Sequence, residues 1–135
     1  MAGYSGTPLV QKIGIKAGNR VVLRNHPASF LKELGKLPEG AQSSERLSGK
    51  ANVIVYFTDK RAALEKEFSS LSAALVPDGM LWIGWPKKAS GKPTDLNENI
   101  VREIGLERGL VDVKVCAIDE TWSGLKFVVK VKDRK

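Results

Sequence analysis

At 135 residues, with 42% hydrophobic and 27% charged residues, the chain has the size and composition of one ordered globular domain, not of a disordered or fibrous protein. Its net charge of +7 and isoelectric point near 9.6 favour anionic partners without choosing among nucleic acid, nucleotide and membrane surface. No run approaches the roughly 18 apolar residues of a membrane span, Met1-Ala2-Gly3-Tyr4 lacks a signal-peptide layout, and the one cysteine, Cys116, has no internal disulfide partner, so a cytoplasmic protein is expected.

The chain opens on a short predicted helix: Thr7 caps it, Pro8 suits its first turn, and Leu9, Val10 and Ile13 share a face before Gly14. Its expected role is to cover a sheet edge. Val21-Val22-Leu23 reads as the first strand, broken by Asn25-His26-Pro27. Phe30, Leu31 and Leu34 mark a short helix stopped by Gly35, and the polar region from Leu37 to Lys50 reads as a surface loop that ligand binding could order. Val53-Ile54-Val55-Tyr56-Phe57, apolar without alternation, predicts a central strand covered on both faces.

From Asp59, residues Leu64, Phe68, Leu71 and Leu75 recur at helical spacing up to Pro77-Asp78-Gly79. Met80 to Trp85 is a third strand, closed by Pro86 and the loop from Lys87 to Pro93. Asp95 and Glu98 have capping-box spacing for a helix whose stripe is Leu96, Ile100 and Ile104. Val111, Val113, Val115 and Ala117 alternate with polar residues, as in a strand near an edge. After the turn from Glu120 to Gly124, Leu125 to Val131 is a last strand, antiparallel to its predecessor because the connection is too short for a parallel crossover.

Helices between strands make the first four strands parallel, giving a three-layer, Rossmann-like α/β domain with a mostly parallel five-stranded sheet and an antiparallel C-terminal hairpin. Ligands of such sheets gather at the carboxyl ends of the strands. The residues there define the candidate site: Asn25 and His26 after the first strand, Thr58 with Asp59 after the second, Trp85, Lys87, Lys88 and Ser90 after the third, and Asp119, Glu120, Trp122 and Ser123 after the fourth. Amide, imidazole, ammonium, carboxylate and indole groups on one rim suit a small polar or anionic ligand, and exposed indoles at Trp85 and Trp122 would stack a base. The same residues also serve as ordinary turn formers and caps. Basic residues cluster only at Lys87, Lys88 and Lys92 and in the tail Lys130, Lys132, Arg134 and Lys135.

The segment from Ser72 to Ile83, followed by a helix and a hairpin, is similar to the latter half of a class I methyltransferase over Ala51 to Lys132. That resemblance implies S-adenosylmethionine bound by a glycine-rich turn after the first strand and an acidic residue ending the next. The chain departs from it, having Asn25-His26-Pro27-Ala28-Ser29-Phe30 after its first strand and too few residues between Leu23 and Ala51 for the family's extra strands. No intact cofactor site, and no cofactor, is therefore expected. Over nearly the whole chain, Tyr4-Ser5-Gly6-Thr7-Pro8-Leu9, Leu81 to Gly91 and Val113 to Leu125 resemble the bacterial domain-of-unknown-function family 3052 (DUF3052), a resemblance that implies kinship and no particular reaction.

Gly91-Lys92 is not a nucleotide phosphate loop, since Pro86 stands where its first glycine belongs and Pro93 where its hydroxyl belongs. Lys87, Lys88 and Ser90 beside a helix N-terminus remain suited to a looser anion site. One histidine and one cysteine do not make a zinc site. Cys116 reads as a packed residue rather than a nucleophile. Three functions follow in order: a small-anion or partner-binding domain without an assigned catalytic residue; a nucleic-acid-binding protein using its basic surface and tryptophans; and an enzyme with His26 as general base toward Ser123 or Ser90, oriented by Asp119.

Overall fold

The structure is a computed structural model that describes residues 7–134, so the signature residues Tyr4-Ser5-Gly6 and the tail residue Lys135 lie outside it. In chain order its elements are α1 (Leu9–Ile13), β1 (Arg20–Arg24), α2 (Phe30–Leu34), β2 (Gln42–Ser44), β3 (Ala51–Phe57), α3 (Arg61–Ala73), β4 (Leu75–Pro86), α4 (Glu98–Glu107), β5 (Leu110–Ala117) and β6 (Trp122–Val129). Short 3-10 turns follow at Lys88–Ser90 and Val131–Asp133. One sheet has the order β2-β1-β3-β4-β6-β5. The strands β2, β1, β3 and β4 are parallel, and β6 is inserted antiparallel between β4 and β5.

The expected α/β class, parallel majority and antiparallel hairpin are all present, but the sheet has six strands rather than five. The extra strand, β2, lies in the region read as a loop. Gln42-Ser43-Ser44 has no apolar residue to show a period, and it becomes a strand only because β1 supplies a parallel partner. From β2 the chain returns to β3 through residues 45–50, with Leu47 packed against the core. Arginines of β1 hold this short crossover, Arg20 donating to the Lys50 carbonyl at 2.7 Å and Arg24 to that of Glu45 at 3.3 Å.

From Val53 to Phe57 the central strand β3 is an unbroken hydrophobic run, because both its faces are covered there. Ile54 and Tyr56 join Leu64, Phe68, Leu71, Val101 and Ile104 of α3 and α4, while Val53, Val55 and Phe57 join Ile13, Phe30, Leu34 and Trp82 on the opposite side. Contrary to expectation, α1 does not cover an edge. It lies on the sheet face, where the fully buried Trp82 indole of β4 donates to the Ile13 carbonyl at 2.9 Å. Pro8 occupies the cap position of this helix, not its first turn.

Three further boundaries move for identifiable reasons. The third helix stops at Ala73, and Leu75 is already in β4, paired with Ala51; Pro77-Asp78-Gly79 sits at a shift in register within that strand rather than in a separate turn. Asn97, not Asp95, caps α4, its Oδ1 accepting the Ile100 N–H at 2.9 Å, because Asp95 instead accepts from the Arg61 backbone at 2.7 Å. A bulge between Asp112 and Lys114 breaks the alternation of β5 and leaves Val113 and Val115 exposed. The last strand begins at Trp122, and Val131 lies beyond it, exposed.

Candidate functional site

Parallel alignment of β1, β3 and β4 brings their carboxyl ends to one rim, and the start of β6 joins them because it runs the other way. Pro86 pairs with Trp122, and the Lys87 N–H donates to the Thr121 carbonyl at 2.7 Å, so the segments around Lys87 and Trp122 are neighbours. Their side chains separate by face. Trp122 packs edge-to-face on Phe57 at 5.2 Å with the α1 and α2 side, whereas Trp85 belongs to the α3 and α4 side.

The strand order reverses between β1 and β3, and Asn25 sits at that point. Its backbone is left-handed, φ 57°, a conformation asparagine tolerates better than most residues with a Cβ. Its side-chain amide donates to the Phe57 carbonyl at 2.6 Å, tying the end of β1 to the end of β3. Asn25→Gly should therefore keep the turn and cost about 1 kcal/mol for the lost bond, whereas Asn25→Ala should cost roughly a further 1–2 kcal/mol of backbone strain. Urea unfolding of both variants checks this; equal losses would show that the turn imposes no strain.

His26 Nε2 lies 3.0 Å from Glu45 Oε2, and its ring is 6.2 Å from Phe30. Glu45 is the site residue that sequence reasoning missed. It follows β2, and with β2 unrecognised nothing marked it as the end of a strand. Thr58 is buried and accepts the Lys60 N–H, so it closes the turn after β3. Beside it Phe30, Phe57 and Trp122 form a continuous aromatic array, with Phe57 lying against Gly84.

Between β4 and α4 the rim opens into a cleft of about 650 Å³. Lys87, Lys88 and Lys92 line it together with Thr94, Asn97, Glu98 and Ser123, and Trp85, Pro86, Pro93 and Leu96 provide apolar surface. Among the described residues no ion pair uses any of the three lysines. The one carboxylate present, Glu98, is held by Arg102 Nη2 at 2.6 Å. Lys92 Nζ also stands 6.0 Å from the Trp122 ring centroid, within cation–π range. Ser90 donates to the Lys87 carbonyl at 2.7 Å and shapes the loop; it does not line the cleft.

Trp85, expected to be partly exposed, keeps only 5% of its surface accessible, because Leu96 and α4 cover it. Trp85 therefore offers no open face of the kind base stacking needs. Trp122 is half-buried between Phe57 and Lys92. Asp119 Oδ1 accepts the N–H groups of Thr121 and Trp122, both at 2.8 Å, and Glu120 lies in the same turn. His26 thus pairs with Glu45, Asp119 with backbone N–H groups and Ser90 with a carbonyl, so no hydrogen bond joins His26, Asp119 and Ser90 as the third of the sequence readings would have it. Burial raises the Cys116 thiol pKa, which disfavours the thiolate.

No family model matches the chain, and no curated protein does. Solved structures do. A SAM-dependent methyltransferase from Aquifex aeolicus superposes with a TM-score of 0.65 at 14% identity, covering 90% of this chain and 88% of that one. Magnesium protoporphyrin IX methyltransferase from Synechocystis PCC 6803, with bound SAM, gives 0.57 at 12% identity, covering 90% and 74%. The N-methyltransferase NodS from Bradyrhizobium japonicum WM9 gives 0.57 at 13%, covering 87% and 90%. At such identities the likeness concerns the fold. The chain has the Rossmann-like architecture of the SAM-dependent methyltransferases.

Proposed function

We propose that the protein is a binding domain of methyltransferase-like fold whose ligand is a small anion held in the β4–α4 cleft. The observation that carries this reading is the convergence of Lys87, Lys88 and Lys92 on one cleft with no carboxylate paired to them among the described residues. The volume falls in the range of small-molecule sites, and apolar surface beside ammonium groups suits an organic anion carrying a carboxylate or phosphate. The Asn97 cap places the positive end of α4 at the same lip.

The residues after β1 fit S-adenosylmethionine poorly. A glycine-rich turn would let backbone approach the cofactor, whereas here the Asn25 side chain spans the switch point and Pro27 removes a backbone donor. Glu45 supplies an acidic group at the end of β2, but His26 engages it. Calorimetric titration with AMP as a probe anion is expected to show binding that weakens about tenfold in Lys87→Ala and in Lys92→Ala, the loss of one charge-assisted contact. S-adenosylmethionine should give no heat of binding. Unchanged AMP affinity in both variants would reject the cleft, and a saturable response to S-adenosylmethionine would restore the neighbours' binding mode.

A further inference from the structure

The hairpin carries a second, separate concentration of positive charge. Lys126 of β6 is paired directly with Lys114 of β5, and on its other side with Trp82 of β4. Residues so paired share a face, here the one on which Trp82 meets α1. Two ammonium side chains placed directly across neighbouring strands repel. Lys16, just beyond α1, adds its charge to the field at Lys126, and Lys12 of α1, whose Nζ donates to the Ala117 carbonyl at 3.1 Å, adds its own near Cys116. Among the described residues no ion pair involves Lys16, Lys114 or Lys126. Asp112, the nearest carboxylate in β5, lies on the opposite face, bound to Arg102 at 2.9 Å.

We infer that this face of the β5–β6 hairpin is a binding site for a free, compact phosphate dianion, inorganic phosphate or a small phosphate ester, clasped between Lys114 and Lys126 with Lys16 at its side. A dianion turns the like-charged cross-strand pair from repulsive to bridging. Lys114 and Lys126 are direct cross-strand neighbours and Lys16 is near enough to act on Lys126, a short cluster that matches one phosphoryl group better than an extended polyanion. Burial, then the charges of Lys114 and Lys16, lower the Lys126 pKa, in keeping with an ammonium that lacks its counterion. The site is independent of the β4–α4 cleft, and the two succeed or fail separately.

The test uses the full chain carrying Lys87→Ala and Lys92→Ala, so that the cleft does not report. Inorganic phosphate is titrated against lysine side-chain NMR signals and thermal unfolding. Shifts at Lys114 and Lys126 with a saturable rise in Tm are expected. Adding Lys126→Met should weaken phosphate binding about tenfold or more without lowering the Tm of the unliganded protein, because a repulsive pair has been removed, and Lys126→Arg should retain binding. A phosphate response that survives both Lys114→Met and Lys126→Met overturns the site. Absence of a phosphate response alongside hairpin-dependent retention on duplex DNA or anionic vesicles overturns the assignment of its occupant.

Discussion

Gly105→Ala is expected to lower the unfolding free energy by about 1–3 kcal/mol, although alanine in place of glycine ordinarily favours a helix by about 1 kcal/mol. Gly105 lies on the buried face of α4, and a Cβ there would run into the ring of Phe127. That ring has no accessible surface and is fixed edge-to-face on Phe68 at 5.3 Å, so it cannot swing aside without disturbing α3 as well. The helix must lift instead. Because Asn97 and Glu98 at the start of α4 line the cleft, the same substitution should also loosen ligand binding. Urea unfolding of Gly105→Ala, Phe127→Leu and the double variant checks the cause: the double variant should recover part of the alanine penalty, and strict additivity would show that the contact is not responsible.

The second large effect is at Trp82. Truncation to alanine should cost about 3–5 kcal/mol, the usual range for a fully buried large aromatic. Trp82→Phe separates packing from hydrogen bonding: it keeps most of the ring but leaves the Ile13 carbonyl unpaired, for an expected loss of about 1–3 kcal/mol. Since this bond joins α1 to the middle of the sheet, amide exchange in residues 9–13 should accelerate more than exchange in β3. Uniform acceleration across both segments would mean that α1 does not detach on its own.

The two proposed anion sites differ in how far the linear chain reveals them. Lys87, Lys88 and Lys92 are close neighbours along the chain, so their cluster can be read from the order of residues alone. Lys114 and Lys126 face each other through the register of the hairpin, with its bulge between Asp112 and Lys114, whereas Lys16, more than a hundred positions from Lys126, reaches them only because α1 packs on the sheet. Ionic strength should affect both sites, since exposed ammonium–anion attraction is screened over about 10 Å at 0.1 M salt.

What the sequence determined by itself is the set of elements whose side chains carry a period or a run: the apolar β3, the stripe of α3, the helix α4 and the hairpin, and from their alternation the α/β class and the rim at the strand ends. These follow from local spacing, because a residue's face within a helix or strand is set by its position along the chain. Only tertiary structure decided the rest. The strand β2 exists because β1 offers unpaired backbone groups to a segment with no pattern of its own; Glu45 becomes a rim residue because that strand ends before it; and Trp85 is covered because α4 returns over it. Each of these depends on a partner distant in the chain, and pairing between distant segments leaves no periodic trace in either of them.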